Sequence, residues 1–158
     1  MDEVGTLTLH WHTAQPHPIR PVVATGVFDL LHVGHLRLLR EAHRRGHPLA
    51  VGVEGDQRVR AWKGETRPLN PATDRAEVLG ELRCVDGTFV ITGGADATGW
   101  QHYLELLRPL APHALVFTEG DPFTEPKRRA AEHLGAEVWT VPQVPDRSTS
   151  AIVERFCY

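Results

Sequence analysis

The sequence predicts a single α/β domain in which a parallel sheet of about five strands carries helices on both faces. Past residue 20, short apolar runs alternate with segments of helical periodicity, and this alternation is typical of βαβ units. A length of 158 residues is that of one ordinary domain. The composition, with 41% apolar and 23% charged residues, is that of a globular protein, so the chain can build a core.

The first strand and helix of this pattern lie within residues 21–46. Residues 22–28 form an apolar run that predicts a buried strand. Residues 36–44 then follow a helical period, and Gly46 is placed to end the helix. The residues between the two elements therefore form the turn at the carboxyl end of the first strand, where α/β sheets bind ligands.

The later elements repeat this alternation. Further strands are predicted at 49–53, 88–92, 114–118 and 137–141. Further helices are predicted at 70–86, 99–110, 125–135 and 148–156. Asn70 is expected to cap its helix with Pro71 at the first helical position, and Ser148 is expected to cap the last helix. The basic run 126–130 is interpreted as a solvated helix face.

The first twenty residues differ from the rest, so we divide the chain into an N-terminal extension, 1–20, and a main domain, 21–158. Residues 6–12 alternate between polar and apolar side chains, as an edge strand does, and a proline-broken connection follows. His10, His12 and His17 have the spacing of metal ligands. No cysteine or carboxylate completes the set, so we predict no metal site there.

Charge and cysteine content exclude several classes of function. A net charge of −3 gives no electrostatic reason to expect a nucleic-acid or membrane partner. No apolar run reaches the roughly 20 residues that span a bilayer. The first residues are acidic, unlike a signal peptide, and Cys84 and Cys157 form no metal or redox pair. We therefore expect a protein of the cytoplasm, where thiols stay reduced.

His32 and His35 flank Val33 and Gly34 at the start of the first helix. Their spacing of three residues lets both rings point the same way, and a helix start offers free N–H groups to an anion. Gly34 and Gly26 have no side chain to keep a phosphate away from the backbone. These features favour a site that stabilises a phosphoryl group during transfer. The alternative is that the two histidines are surface residues of an ordinary loop.

Three stretches of the chain carry a family resemblance that covers about residues 21–156. TGVFDLLHVGHLRLLREA resembles the signature of the cytidylyltransferase-like nucleotidyltransferases, whose H-x-G-H motif binds a nucleoside triphosphate. VGVEGDQRVRAWKGETRPLNPATDRAEVLGELRCVD resembles the pattern D…K-G…R-P…R…L…V-D, and is most similar to the heptose 1-phosphate adenylyltransferase domain. STSAIVERF resembles the closing S-T-T helix of the family.

The resemblance implies a Rossmann-like fold and the transfer of NMP from an NTP to a small phosphorylated acceptor, with release of pyrophosphate. Mg²⁺ is expected to bind through the NTP phosphates, and a homodimer is compatible with the family. Catalytic roles are implied for His32, His35 and Lys63. Nucleotide contacts are implied for Thr25, Gly26, Val27, Phe28, Asp29, Gly34, Arg75, Gly120, Asp121, Ser148 and Thr149. Trp62 and Lys63 are expected in a loop that covers the nucleotide.

Some of these residues have structural alternatives: Lys63 as a solvated lysine, Arg75 in an ion pair, and Ser148 and Thr149 as helix caps. Gln143 stands where relatives that use CTP often carry an arginine, so ATP with a sugar 1-phosphate is favoured. CTP with glycerol 3-phosphate or a similar alcohol phosphate is the alternative.

Departures from the family pattern leave a second class of function open. Thr118 and Glu119 replace a lysine and a glycine that follow the fourth strand in the adenylyltransferase pattern, and Ser150 replaces the last threonine of S-T-T. A catalytically silent regulator that binds nucleotide is therefore also compatible with the sequence.

Overall fold

A computed structural model describes residues 5–156, whose strands and helices alternate along the chain. The strands are β1 (Thr8–Trp11), β2 (Val22–Gly26), β3 (Leu49–Glu54), β4 (Gly87–Thr92), β5 (Ala114–Thr118) and β6 (Glu137–Val141). The α-helices are α1 (Val33–Arg44), α2 (Asp56–Lys63), α3 (Ala72–Gly80), α4 (Trp100–Leu107), α5 (Thr124–Leu134) and α6 (Thr149–Glu154). A short 3-10 helix, Arg108–Leu110, follows α4.

The six strands form one sheet in the order β1-β4-β3-β2-β5-β6. β2 pairs in parallel with both β3 and β5, so the chain winds outward from β2 in two directions. The boundary between β2 and β5 is therefore the topological switch point, where open α/β sheets form a crevice for ligands. This arrangement confirms the predicted fold class.

The sixth strand comes from the segment before residue 21. β1 runs antiparallel to β4, with Thr8 opposite Thr92 and Trp11 opposite Phe89, so the edge strand expected from the alternation at 6–12 is confirmed. The sheet thus has one strand more than the expected five. The N-terminal segment completes the sheet of the main domain.

Helices cover both faces of the sheet. Because neighbouring residues of a strand point to opposite sides, each strand contributes side chains to both packed layers. Val22 and Ala24 pack with Leu39 of α1 on one face. Val23, between them, packs with Leu107 of α4 on the other face. The side chains in both clusters are almost fully buried, and their burial is the main source of the stability of this fold.

Two sequence predictions about helices are wrong. Residues 56–63, expected to be partly loop, form α2, so Lys63 ends a helix. The helix expected at 70–86 spans only Ala72–Gly80, and Pro71 takes the N-cap position. Asn70 does not cap the helix because its side-chain amide donates to the carbonyl oxygen of Asp29, at 3.3 Å.

Cys84 carries a free thiol and is half-buried, whereas Cys157 lies outside the described residues. None of the helices within residues 5–156 combines the length and the apolar character that crossing a bilayer requires.

Candidate active site

A cleft of about 620 Å³ lies at the carboxyl ends of β2, β3, β5 and β6, across the switch point. Its walls are the turn after β2, the end of β3 with α2 and the following loop, the loop after β5 with the start of α5, and the segment that leads into α6. The lining residues are Thr25, Gly26, Val27, Phe28, Asp29, His32, Gly34, His35, Glu54, Trp62, Lys63, Arg67, Thr118, Glu119, Gly120, Asp121, Pro122, Phe123, Lys127, Gln143, Val144, Arg147, Ser148, Thr149 and Ser150.

Almost all residues that the sequence predicts for the site line this one cleft. The three residues with implied catalytic roles, His32, His35 and Lys63, are among them. Arg75 is the predicted site residue that is not part of the wall. The chain therefore brings together segments from residue 25 to residue 150, as expected for a site at a switch point.

The two histidines cap the helix that they open. His32 is the N-cap of α1, and the backbone N–H of Gly34 donates to its Nδ1 at 3.1 Å. The backbone N–H of His32 donates in turn to Nδ1 of His35 at 3.3 Å. This reciprocal pair is a capping box made from imidazoles, and it holds the rings stacked with centroids 3.8 Å apart.

These hydrogen bonds fix the tautomer of both rings. Because Nδ1 of each ring accepts, the neutral ring carries its proton on Nε2. Burial, the His32 ring and Lys63 lower the pKa of His35 to about 4, and burial also lowers the pKa of His32. The two histidines are therefore neutral at physiological pH and present Nε2–H donors to an anion.

Gly34 is required by the position of the His32 ring. A Cβ atom at residue 34 would lie 2.8 Å from Cε1 and 2.9 Å from Nδ1 of that ring. Only glycine lets the ring fold back over the first turn of α1, where it accepts the Gly34 N–H. The glycine of the H-x-G-H motif thus serves the geometry of the first histidine.

Lys63 lies exposed at the end of α2, beside the histidines. Partial desolvation and the neighbouring Arg67 guanidinium lower its pKa, and Asp29 opposes the shift. The buried Arg58 holds α2 in place, because its Nε donates to the carboxylate of Glu54, at the end of β3, at 2.7 Å. The indole N–H of Trp62 donates to the carbonyl oxygen of Ala95 at 2.9 Å and anchors the same turn.

Asp29 was expected to contact the nucleotide, but its carboxylate organises the protein instead. It accepts hydrogen bonds from Nε of Arg67 at 3.1 Å and from the backbone N–H groups of Leu69 at 2.8 Å and Asn70 at 3.0 Å. The side chain is fully buried, with 0% of its surface exposed. Asp29 is therefore a positioning residue that ties the loop after α2 to the turn after β2.

Arg75 also acts through its neighbours, because its guanidinium points away from the cleft. It donates to the carbonyl oxygens of Val27 at 2.7 Å and Asn70 at 2.9 Å, and pairs with Asp56 at 2.8 Å. The expected direct contact with the nucleotide has no geometric support, and the structural ion pair that was its alternative is present. Arg75 fixes the turn that forms the floor of the cleft.

Lys127 is a residue of the cleft that the sequence interpretation missed. The solvated face expected for 126–130 is wrong at this position, because Lys127 is buried in the wall. Its Nζ lies 2.7 Å from the Asp121 carboxylate and 3.2 Å from the carbonyl oxygen of Thr25. The side chain therefore joins the end of β2 to the loop after β5 across the switch point. Its helical spacing from the buried Ala130 and Ala131 was the signal that could have revealed it.

The hydroxyl groups at the start of α6 have partners within the protein. Ser148 caps the helix as predicted, since its Oγ accepts from the backbone N–H of Ala151 at 3.0 Å. The Thr149 hydroxyl donates to the carbonyl oxygen of Leu30 at 3.1 Å, which ties α6 to the turn before α1. Gln143 and Arg147 line the same wall.

The donor groups of the cleft suit an anion better than a metal ion. Its cationic side chains belong to Lys63, Arg67, Lys127 and Arg147. The carboxylates of Asp29, Glu54 and Asp121 are each paired with a lysine or an arginine. Glu119 also lines the cleft, and its exposed side chain forms no ion pair with the residues that the structure describes. Within the described part of the chain, no three histidine, cysteine, aspartate or glutamate side chains are grouped as metal ligands.

Comparison with known proteins yields one family. The model of the family described as cytidylyltransferase-like matches residues 23–155. Among curated proteins, the bifunctional protein HldE of Syntrophotalea carbinolica is 38% identical over 136 residues, which cover 85% of this chain and 26% of the relative. The HldE protein of Wolinella succinogenes is 38% identical over 155 residues, covering 98% of this chain and 30% of the relative. The chain thus spans under a third of the length of these relatives.

Solved structures share the fold. A lipopolysaccharide core biosynthesis protein from Thermoplasma volcanium aligns with a TM-score of 0.61 and 26% identity, over 80% of this chain and 97% of that one. A pantoate-beta-alanine ligase from Francisella tularensis, solved with beta-gamma ATP and beta-alanine, aligns with a TM-score of 0.57 and 16% identity, over 83% of this chain and 61% of that one. At this identity the second likeness concerns the fold alone.

Proposed function

The chain belongs to the cytidylyltransferase-like family, and we propose that it is a nucleotidyltransferase that moves NMP from an NTP to a small phosphorylated acceptor. The observation that carries this proposal is the pair of neutral histidines, His32 and His35, whose Nε2–H donors lie beside Lys63 at the switch point. Such donors can hydrogen-bond the oxygens of a phosphoryl group as charge develops on them.

The proposed reaction needs no covalent intermediate. A phosphate oxygen of the acceptor attacks the α-phosphorus of the NTP, a new P–O bond forms, and the bond between the α-phosphorus and the bridging oxygen breaks. Pyrophosphate leaves with the electron pair of that bond. His32 and His35 donate hydrogen bonds to the α-phosphate, and Lys63 stabilises the negative charge that develops on the pyrophosphate. Positioning and charge stabilisation are sufficient for this class of chemistry.

We propose that Mg²⁺ enters as part of the substrate, bound to the NTP. The carboxylates of Asp29 and Asp121 are held by protein cations, so the wall offers few free oxygen ligands. Mg²⁺ keeps waters and phosphate oxygens as ligands, which suits a cleft of this composition. When bound, it would neutralise part of the triphosphate charge.

ATP and a sugar 1-phosphate are the favoured substrates within this proposal. The similarity to HldE proteins supports them, together with the resemblance of residues 51–86 to the heptose 1-phosphate adenylyltransferase domain. Gln143 supports them too, since a neutral amide lines the wall where relatives that use CTP often carry an arginine. A location in the cytoplasm and a homodimer remain predictions from the sequence and the family.

A pyrophosphate-release assay with Mg²⁺ tests the substrates. ATP and CTP are each combined with sugar 1-phosphates, a heptose 1-phosphate included, and with glycerol 3-phosphate. Release with ATP and a sugar 1-phosphate is expected. Release only with CTP and an alcohol phosphate would replace the substrates but keep the reaction. Nucleotide binding without release from any pair would contradict the proposal and favour a regulator that binds nucleotide.

A further inference from the structure

Arg67 has a buried nitrogen for which the described residues offer no hydrogen-bond acceptor. Its Nε donates to the Asp29 carboxylate at 3.1 Å, and 11% of the side chain is exposed. Its Nη2 is buried and has no hydrogen-bond partner within residues 5–156. A buried donor without an acceptor is costly, so such groups are rare and call for an explanation. Arg67 lines the cleft, where an anionic ligand would supply the acceptor.

The guanidinium of Arg67 is held in a fixed position before any ligand binds. The Asp29 carboxylate accepts the hydrogen bond from Nε of Arg67. This carboxylate is fully buried and also accepts from the backbone N–H groups of Leu69 and Asn70, which hold it in place. The planar fork of an arginine matches two oxygens of a phosphate, and a preorganised fork loses little entropy on binding. The Arg67 guanidinium is therefore placed to bind an anion, unlike a mobile arginine on the surface.

Arg67 and the histidines line the cleft from different walls. His32 and His35 lie at the start of α1, whereas Lys63 ends α2 and Arg67 lies in the loop that follows it. The hydrogen bond from Arg67 to Asp29 ties that loop to the turn after β2. The cleft thus has donors on two walls, the histidines on one and Lys63 with Arg67 on the other.

The proposed reaction brings two separate phosphate groups together, and the donors of these two walls can hold both. Resting on the proposed function, we propose that Arg67 binds the phosphate of the acceptor, while His32 and His35 bind the α-phosphate of the NTP and Lys63 binds the pyrophosphate that leaves. The charge of Arg67 reduces the repulsion between the acceptor phosphate and the NTP as the attacking oxygen approaches the α-phosphorus. Arg67 thereby selects acceptors that carry a terminal phosphate.

Calorimetry on the full chain separates this role from binding of the NTP. The protein is first saturated with α,β-methylene ATP, in which a methylene group replaces the oxygen of the bond that would break. Inorganic phosphate and a heptose 1-phosphate are then titrated. Arg67→Gln is expected to weaken binding of both by at least ~10-fold, the usual effect of losing a charged hydrogen bond. Its affinity for α,β-methylene ATP should stay within about twofold of the wild-type value, since the nucleotide contacts lie elsewhere.

Arg60→Gln is the matched control. Arg60 lies in α2, near Arg67 in the sequence, and carries the same charge. It pairs with the exposed Glu65 at 3.8 Å and does not line the cleft. It should bind both probes as the wild type does. Arg67→Lys keeps a cation beside Asp29 and loses the fork, so it tests the proposal should Arg67→Gln fold poorly. A crystal of the wild type with α,β-methylene ATP and phosphate gives a further check that needs no variant.

Several results would overturn the assignment. These are unchanged phosphate affinity in the Arg67 variants, an equal loss of phosphate and nucleotide affinity, or a crystal in which the phosphate lies away from Arg67. Pyrophosphate release is followed in parallel to separate this assignment from the proposed function. Phosphate binding that depends on Arg67 without any turnover would contradict the proposed function and support the subsite. Turnover with unchanged phosphate affinity in Arg67→Lys would contradict the subsite alone.

Discussion

Lowering the pH from 7.5 to 5 should destabilise the protein through His35. Its pKa in the folded state is about 4, against 6.5 for an ordinary histidine. Between these two values the unfolded chain binds a proton that the folded protein excludes. The free energy of unfolding therefore falls as the pH falls through 6.5, and this loss levels off below the folded pKa. Above pH 7.5 the residue is neutral in both states and contributes nothing.

The size of this effect follows from the two pKa values. At pH 5 the unfolded imidazole is almost fully protonated while the folded one is almost neutral, which corresponds to a loss of about 2 kcal/mol. At pH 4 the same relation gives about 3 kcal/mol. A change of this size is a large share of the stability of a domain of ordinary size.

Urea unfolding of the wild type and of His35→Asn at pH 7.5 and pH 5 measures this contribution. Asparagine places Oδ1 where Nδ1 stood, so it can still accept the His32 N–H. The variant should lose about 2 kcal/mol less than the wild type between the two pH values. His43→Asn, on the exposed face of the same helix, should behave as the wild type does. Equal losses in the wild type and His35→Asn would refute a His35 that is kept neutral by its surroundings.

Three other substitutions test how neighbouring groups build the cleft. Lys63→Gln should weaken NTP binding and lower kcat, each by roughly 10-fold or more, because a cation beside the phosphates is lost; a wild-type profile in the pyrophosphate assay would make Lys63 a surface residue. Gly34→Ala places a Cβ atom 2.8 Å from the His32 ring and should cut kcat by at least ~10-fold with the circular dichroism spectrum unchanged; full activity would show that the ring yields without cost. Lys127→Met leaves the Asp121 carboxylate without its partner and should lower the free energy of unfolding by about 3 kcal/mol, whereas adding Asp121→Asn should restore part of it; an equal or larger loss in the double variant would contradict the ion-pair interpretation.

The parts of the fold that follow a local pattern could be predicted from the sequence. β2, β3 and β5 are short apolar runs because both of their faces are buried, and such runs stand out between helical segments. α2 could not be predicted, because its stretch DQRVRAWK has no apolar stripe. That helix is held by polar contacts to distant residues, among them the hydrogen bonds from Arg58 to the carbonyl oxygen of Ala97 and from Trp62 to that of Ala95.

The same distinction holds for the cleft. His32, Gly34 and His35 form their hydrogen bonds within one helical turn, so their geometry is a property of the local sequence. The helical spacing of Lys127 indicates that it faces inward, but its contact with Thr25 joins residues 102 positions apart, and no pattern within either segment identifies that partner. The partners of Asp29 and Arg75 could not be predicted for the same reason. Asp29 is held by the loop after α2, and Arg75 by Val27, Asp56 and Asn70.

Following the α-phosphate of ATP through the reaction tests most directly whether the protein transfers a nucleotidyl group. The protein is incubated with Mg²⁺, a heptose 1-phosphate and ATP labelled at either the α- or the γ-phosphorus, and the products are separated. Nucleotidyl transfer predicts that the α-label moves to the acceptor product while the γ-label leaves in pyrophosphate, and that His35→Asn slows both. Appearance of the γ-label on the acceptor, or transfer at the wild-type rate in His35→Asn, would contradict the account.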